Sequence, residues 1–219
     1  MPLPRLLRRS AFAVAFTTLA VLSPSVHADD VPAPPGWKVS TRSPETAVFY
    51  RYVEQAHARE YRGVGDVDAP PGTVFAVVTD VEAHPKFMPF TIESTIVQRR
   101  SPTELVAHQV ISPPMISARD AYMVIVTTPG SGPTDTWKSA WHAVPDFGPE
   151  LPGRVRLQVA EGTWLFEPLD GGARTHITYT ALTNIGGSVP GWMADMSTGS
   201  VVKDLFAAIR KRVRALSAS

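Results

Sequence analysis

The sequence predicts an α+β protein, a curved antiparallel sheet of about nine strands wrapped around one long C-terminal helix. Three observations carry that reading. From Thr91 onward, seven strand-like runs follow one another with only short Pro- and Gly-rich breakers between them. Val202, Phe206, Ile209, Val213 and Leu216 then recur at helical spacing, and a helix from Gly191 to Leu216 would reach about 40 Å, the width of a small domain. A sheet of that length must curl, and this helix is the one element able to fill its concave side.

The chain opens with Arg5, Arg8 and Arg9, an apolar run from Ala11 to Leu22, and Val26-His27-Ala28. This is the three-part layout of a secretory signal peptide cleaved after Ala28, and the apolar run is too short for a comfortable membrane span. The sequence thus divides into a signal peptide (1–28), a Pro-rich extended lead-in (29–36) and one domain (37–219), secreted and expected in a periplasm. There is no Cys, which excludes disulfides, thiolate nucleophiles, thiolate metal sites and a lipoprotein anchor. Loss of the three leader arginines takes the formal charge from +1 to −2, because no acidic residue precedes Asp29, and neither value suits a nucleic-acid partner.

Within the domain, Thr46 to Glu54 and Arg59 to Asp68 alternate as two hairpin strands. Pro70-Pro71-Gly72 then starts a short helix, Thr73 to Val81, with Val74, Phe75, Val77 and Val78 turned inward. The Pro-punctuated turn His84 to Phe90 follows. The later strands are Thr91 to Arg99, Thr103 to Ile111, Ala118 to Thr128, Thr136 to Val144, Arg154 to Ala160, Thr163 to Pro168 and Arg174 to Thr183. In the last helix, Gly199 marks a kink or restart. Arg210, Lys211, Arg212 and Arg214 sit where cations complement the helix dipole, with anionic lipid headgroups as the alternative partner.

Five stretches carry a family resemblance: Glu60-Tyr61-Arg62-Gly63-Val64-Gly65, Val74-Phe75 through Thr79-Asp80, Met115 to Tyr122 around Ala118-Arg119-Asp120, Trp164 through Glu167-Pro168, and Gly186 to Trp192. In order and spacing the sequence resembles the START family, the lipid-transfer domains related to the steroidogenic acute regulatory protein. Asn184-Ile185 stands where that family commonly has Asp-Pro. The resemblance implies the helix-grip fold and an enclosed hydrophobic ligand such as a sterol or phospholipid. Related helix-grip families include polyketide cyclases and aromatase-like enzymes, which supply the alternative reading.

Candidate ligand-binding residues follow from both sources. Arg119 is a guanidinium in an otherwise apolar strand, which either pairs with a carboxylate, Asp195 or Glu104, or meets the polar end of a ligand; the resemblance implies the latter. Met123 and Ile125 share its face by alternation. Trp141, Trp164, Phe166, Tyr179 and Phe206, with Trp192, Met193 and Met196 from the start of the last helix, would wrap an apolar body. Met115 and Ile116 lie in a Pro-rich loop expected to gate the cavity mouth. His108, His142 and His176 fall in three strands without metal-ligand spacing, and there is no nucleophile elbow or phosphate-cradling loop. The expectation is a non-catalytic lipid carrier with no metal and no cofactor, whose partners are a hydrophobic small molecule and, transiently, a membrane. An enzyme would need His108, His142 or Asp195 inside the cavity.

Overall fold

The computed structural model describes residues 28–186 and 191–218, without the side chains of Asp29 and of residues 191–198. The expected signal peptide therefore lies outside the described residues up to His27, as do the side chains of Trp192, Met193, Asp195 and Met196.

The described chain begins as a strap. Val31, Ala33 and Trp37 pack against a buried cluster of Ala28, Ala47, Phe49 and Val64, and Arg42 Nη2 donates to the Val31 carbonyl at 2.7 Å. The Pro-rich lead-in, expected to be extended, instead begins in a 3₁₀ turn, Ala28–Asp30, and ends in a turn where the Trp37 N–H donates to the Pro34 carbonyl at 3.0 Å, and it is seated on the sheet's outer face. A first strand, β1 (Lys38–Ser43), pairs with the expected hairpin, β2 (Thr46–Val53) and β3 (Ala58–Val67). Its largely exposed, polar residues gave no strand signal, because an edge strand buries little on either face.

Helix α1 (Pro71–Thr79) starts on Pro71, whose missing N–H belongs among the donors that a first turn leaves unpaired anyway. It buries Val74, Val77 and Val78. A 3₁₀ segment, Val81–Lys86, leads into β4 (Thr91–Ser101), β5 (Glu104–Ile111), β6 (Ala118–Thr128) and β7 (Trp137–Ala143). The run Arg154 to Ala160, expected as one strand, divides. Arg154–Arg156 forms β8, the one parallel partner, beside the start of β6, while Val159–Leu169 forms β9 as a single long strand. Strand β10 (Arg174–Asn184) and helix α2 (Gly191–Ser217) complete the chain.

The sheet order is β1-β2-β3-β10-β9-β7-β6-β5-β4, antiparallel along that path. Helix α2 packs Val202, Leu205, Phe206, Ile209 and Val213 against Val48, Tyr61, Val67, Trp164, Phe166 and Ile177. Gly63 makes that contact close: a Cβ there would sit 2.7 Å from Val202 Cγ1 and 2.8 Å from Phe206 Cε2. Gly199 does not interrupt the helix, which runs through it. A Cβ at Gly199 would strike the Ser40 side chain, so the residue allows α2 to approach β1. Arg210, one of the four cations expected to complement the helix dipole, has specific partners as well. It is buried and donates to the Asp66 carbonyl (2.8 Å), Thr46 Oγ1 (3.0 Å) and the Glu45 carbonyl (2.5 Å), tying the end of α2 to the β1–β2 turn.

Candidate ligand-binding site

Strand alternation sorts the candidate side chains onto two faces. The inner row of β6 is Arg119, Ala121, Met123 and Ile125, and its last three members form one cluster with Val81, Ala107, Leu157 and Ala160. Opposite β6, Trp141 of β7 pairs with Ile125. Gly162 of β9 leaves room for the indole, since a Cβ there would meet the Trp141 ring and the Thr180 carbonyl. Trp141 stacks on Tyr179 at 5.8 Å, Tyr179 lies 4.3 Å from Trp164, and Trp164 is 6.2 Å from both Phe166 and Phe206.

This aromatic wall is packed at one end and open at the other. Phe166 and Phe206 are wholly buried in the contact between sheet and helix, and Trp164 nearly so. Trp141, Tyr179 and Ala181 keep free surface although they lie on the inner face. Burial against Trp141 and Trp164 pushes the Tyr179 phenol well above its ordinary pKa.

Arg119 is 2 % exposed, and among the described residues it has no carboxylate partner. Its Nε donates to the Ile185 carbonyl at 3.3 Å and its Nη1 to the Ser117 carbonyl. Glu104, one of the two expected ion-pair partners, is taken by Arg100 at 3.0 Å; Asp195 lies outside the description. Burial pulls the guanidinium pKa below its usual value, but an arginine side chain stays protonated in proteins, so the group is a cation held by main-chain dipoles. It bridges the 112–117 loop to the connection between β10 and α2, the two segments flanking the expected mouth.

The mouth loop itself is exposed. Met115 is 85 % exposed at φ +67°, and Ile116 is half-buried. The Ser112 N–H donates to the Phe90 carbonyl at 2.8 Å, bringing the 87–92 segment alongside. Phe90, at φ +58°, and Ile92 are both exposed there, so the rim carries three large apolar side chains.

The outer face holds a polar cluster that sequence reasoning missed. Asp120 is 1 % exposed, and its Oδ2 accepts from His108 Nε2 (3.0 Å), Arg156 Nε (3.1 Å) and Arg156 Nη2 (2.9 Å). Arg156 also donates to the carbonyls of Pro145, Gly148 and Pro149. Tyr122 stacks on His108 at 4.5 Å and lies under the Arg156 guanidinium at 4.8 Å. Burial acts to raise the Asp120 carboxyl, but the hydrogen bonds from Arg156 and then His108 outweigh it and hold the pKa below the ordinary range. The sole advance signal was alternation, which puts Asp120 on the opposite face from Arg119.

Of the three strand histidines, none lies on the inner face. His108 is tied to Asp120, His142 is exposed on the outer side, and His176 pairs with Asp66 at 2.7 Å. The described residues contain no cluster of metal-ligating side chains. Among them, too, no helix is long and apolar enough to cross a membrane.

The model of the family described as polyketide cyclase / dehydrase and lipid transport matches residues 67–210. The chain belongs to that family. Within it, the chain has strong structural matches to START lipid-transfer domains with the helix-grip fold. A STAR-related lipid transfer protein from Xanthomonas axonopodis is 27 % identical, with a TM-score of 0.72 over 82 % of this chain and 99 % of that one. Human StAR-related lipid transfer protein 5 is 22 % identical, with a TM-score of 0.76 over 84 % of this chain and 88 % of its own. The Zhui aromatase/cyclase of a Streptomyces species shares the fold more distantly, at 18 % identity and a TM-score of 0.51 over 72 % of this chain and 92 % of the enzyme. This member of the family thus has a lipid-binding scaffold that its relatives use both for lipid transfer and for cyclisation chemistry.

Proposed function

We propose that the protein is an exported, non-catalytic carrier that encloses one hydrophobic molecule between α2 and the inner face of the sheet and moves it between membranes. The supporting observation is the character of the inner face. Trp141, Tyr179, Met123 and Ile125 supply apolar area, while His108, Asp120, His142 and His176 all face outward. A cyclase would need a proton-transferring group against the ligand. The leader-like start of the sequence fits an aqueous compartment, where an apolar cargo needs shielding from water. The apolar rim of Phe90, Ile92 and Met115 fits transient contact with a bilayer.

The test is native mass spectrometry of protein purified gently from the exporting host, followed by organic extraction of whatever travels with it. A stoichiometric lipid of one class is the expected result. No bound species after incubation with mixed lipids, or turnover of a polyketide-like substrate, would overturn the carrier reading.

A further inference from the structure

A second polar group of side chains lies on the inner face, at the mouth end of β5. His84 is buried, and its Nε2 lies 2.9 Å from the Val78 carbonyl. A carbonyl only accepts, so Nε2 carries the proton and Nδ1 of the neutral ring must accept. The Gln109 amide lies 2.7 Å from Nδ1, so its nitrogen faces the ring. The same nitrogen donates to Ser94 Oγ at 3.0 Å, which uses its second hydrogen. One tautomer therefore fixes the amide orientation and leaves two valences over: the Gln109 Oε1 acceptor, to which no described residue donates, and the Ser94 hydroxyl proton.

Gln109 reaches the surface of the inner face, and Ser94, its register partner on β4, is buried beside it. Gln109 pairs in register with Ala121, on the face that carries Met123 and Ile125, and it keeps accessible surface while Ala107 and Ala121 are sealed. The aromatic wall on β9 begins three strands away, about 14 Å at ordinary strand spacing. No charged group belongs to the cluster, and burial lowers the His84 pKa, keeping the ring neutral.

We propose that Gln109 and Ser94, aligned by His84, form a receptor for a neutral hydroxyl at the end of an otherwise apolar ligand: the hydroxyl donates to Gln109 Oε1 and accepts from Ser94 Oγ–H. The assignment rests on the carrier reading and narrows its cargo to uncharged alcohols over carboxylates. Arg119, with its guanidinium engaged by the Ser117 and Ile185 carbonyls, is then a clasp of the mouth.

Three probes that differ only at the tip separate the two levels of the argument: 1-pyrenedodecanol, 1-pyrenedodecanoate and 1-pyrenedodecane, titrated at pH 7 by pyrene fluorescence against the intact protein. The alcohol is expected to bind about tenfold more tightly than the alkane, the yield of two neutral hydrogen bonds. The carboxylate should bind more weakly than the alcohol. Gln109→Leu should erase the alcohol's advantage and leave alkane binding within about twofold. Ser94→Ala, the smaller change, should remove part of the advantage and serves as the readout if Gln109→Leu does not fold. Equal binding of all three probes, preference for the carboxylate, or an undiminished alcohol preference in a folded variant would overturn the receptor while leaving the carrier intact. Saturable binding of none of them would overturn the carrier, and the receptor with it.

Discussion

Asp120→Asn tests whether the outer-face cluster bears on stability. The substitution keeps the shape of the side chain and removes its charge, leaving Arg156, 9 % exposed, facing three carbonyls and an amide. Breaking a buried ion pair from one side typically destabilises by about 3–5 kcal/mol, because the remaining charge stays desolvated. For a domain of this size each kcal/mol moves Tm by about 2–4 °C, so the expected fall at pH 7 is at least about 6 °C, read by circular dichroism. The pH dependence gives an independent signature. The folded carboxyl of Asp120 lies below its unfolded value, so its contribution is complete above the unfolded pKa and is lost as pH falls through the folded one. The gap between wild type and variant should therefore narrow on acidification. A fall of less than about 2 °C at pH 7, or a gap that holds constant down to the acid limit of folding, would refute the assignment of stability to this pair.

Other perturbations address the remaining parts. Phe206→Ala removes a wholly buried ring from the contact of α2 with Trp164 and should lower stability by about 3–5 kcal/mol in urea unfolding. Gly63→Val places a branched side chain against Val202 and Phe206, and its overpacking should lower stability by about 1–3 kcal/mol, with relief on combination with Val202→Ala. Arg119→Met breaks the link between Ser117 and Ile185 and should raise amide exchange in 112–117 and around 185 selectively. His84 has a lowered pKa because it is buried, so below about pH 6.5 the unfolded chain takes up a proton that the folded chain resists. Wild-type stability should fall as the pH drops below about 6.5, and His84→Gln should flatten that part of the profile.

Much of the fold was legible because it is written in local patterns. The breakers after Val67 and Ile111 end real strands, and the spacing of Val202, Phe206, Ile209 and Val213 places the face of α2 that meets the sheet. The misreadings have physical reasons. Strand β1 is an exposed edge with no apolar alternation, and the run after Pro152 reads as one strand because sequence alone does not show that β8 leaves the main path to flank β6. Gly199 looked like a helix breaker, yet its lack of a side chain matters for a contact with Ser40 far back in the chain. The site shows the same division. Alternation groups Arg119 with Met123 and Ile125 and turns Asp120 to the other face. It does not reveal that the Ser117 and Ile185 carbonyls accept from the guanidinium. Nor does any pattern join His84 to Gln109, 25 residues apart, or either of them to Ser94. Those three converge only because the 3₁₀ segment after α1 folds back over the ends of β4 and β5. A single polar residue in a strand is therefore weak evidence of a ligand contact. A stronger indicator is a hydrogen-bond chain whose tautomer and amide orientation are fixed from within the protein, and which still presents an unused acceptor and donor to the inner face.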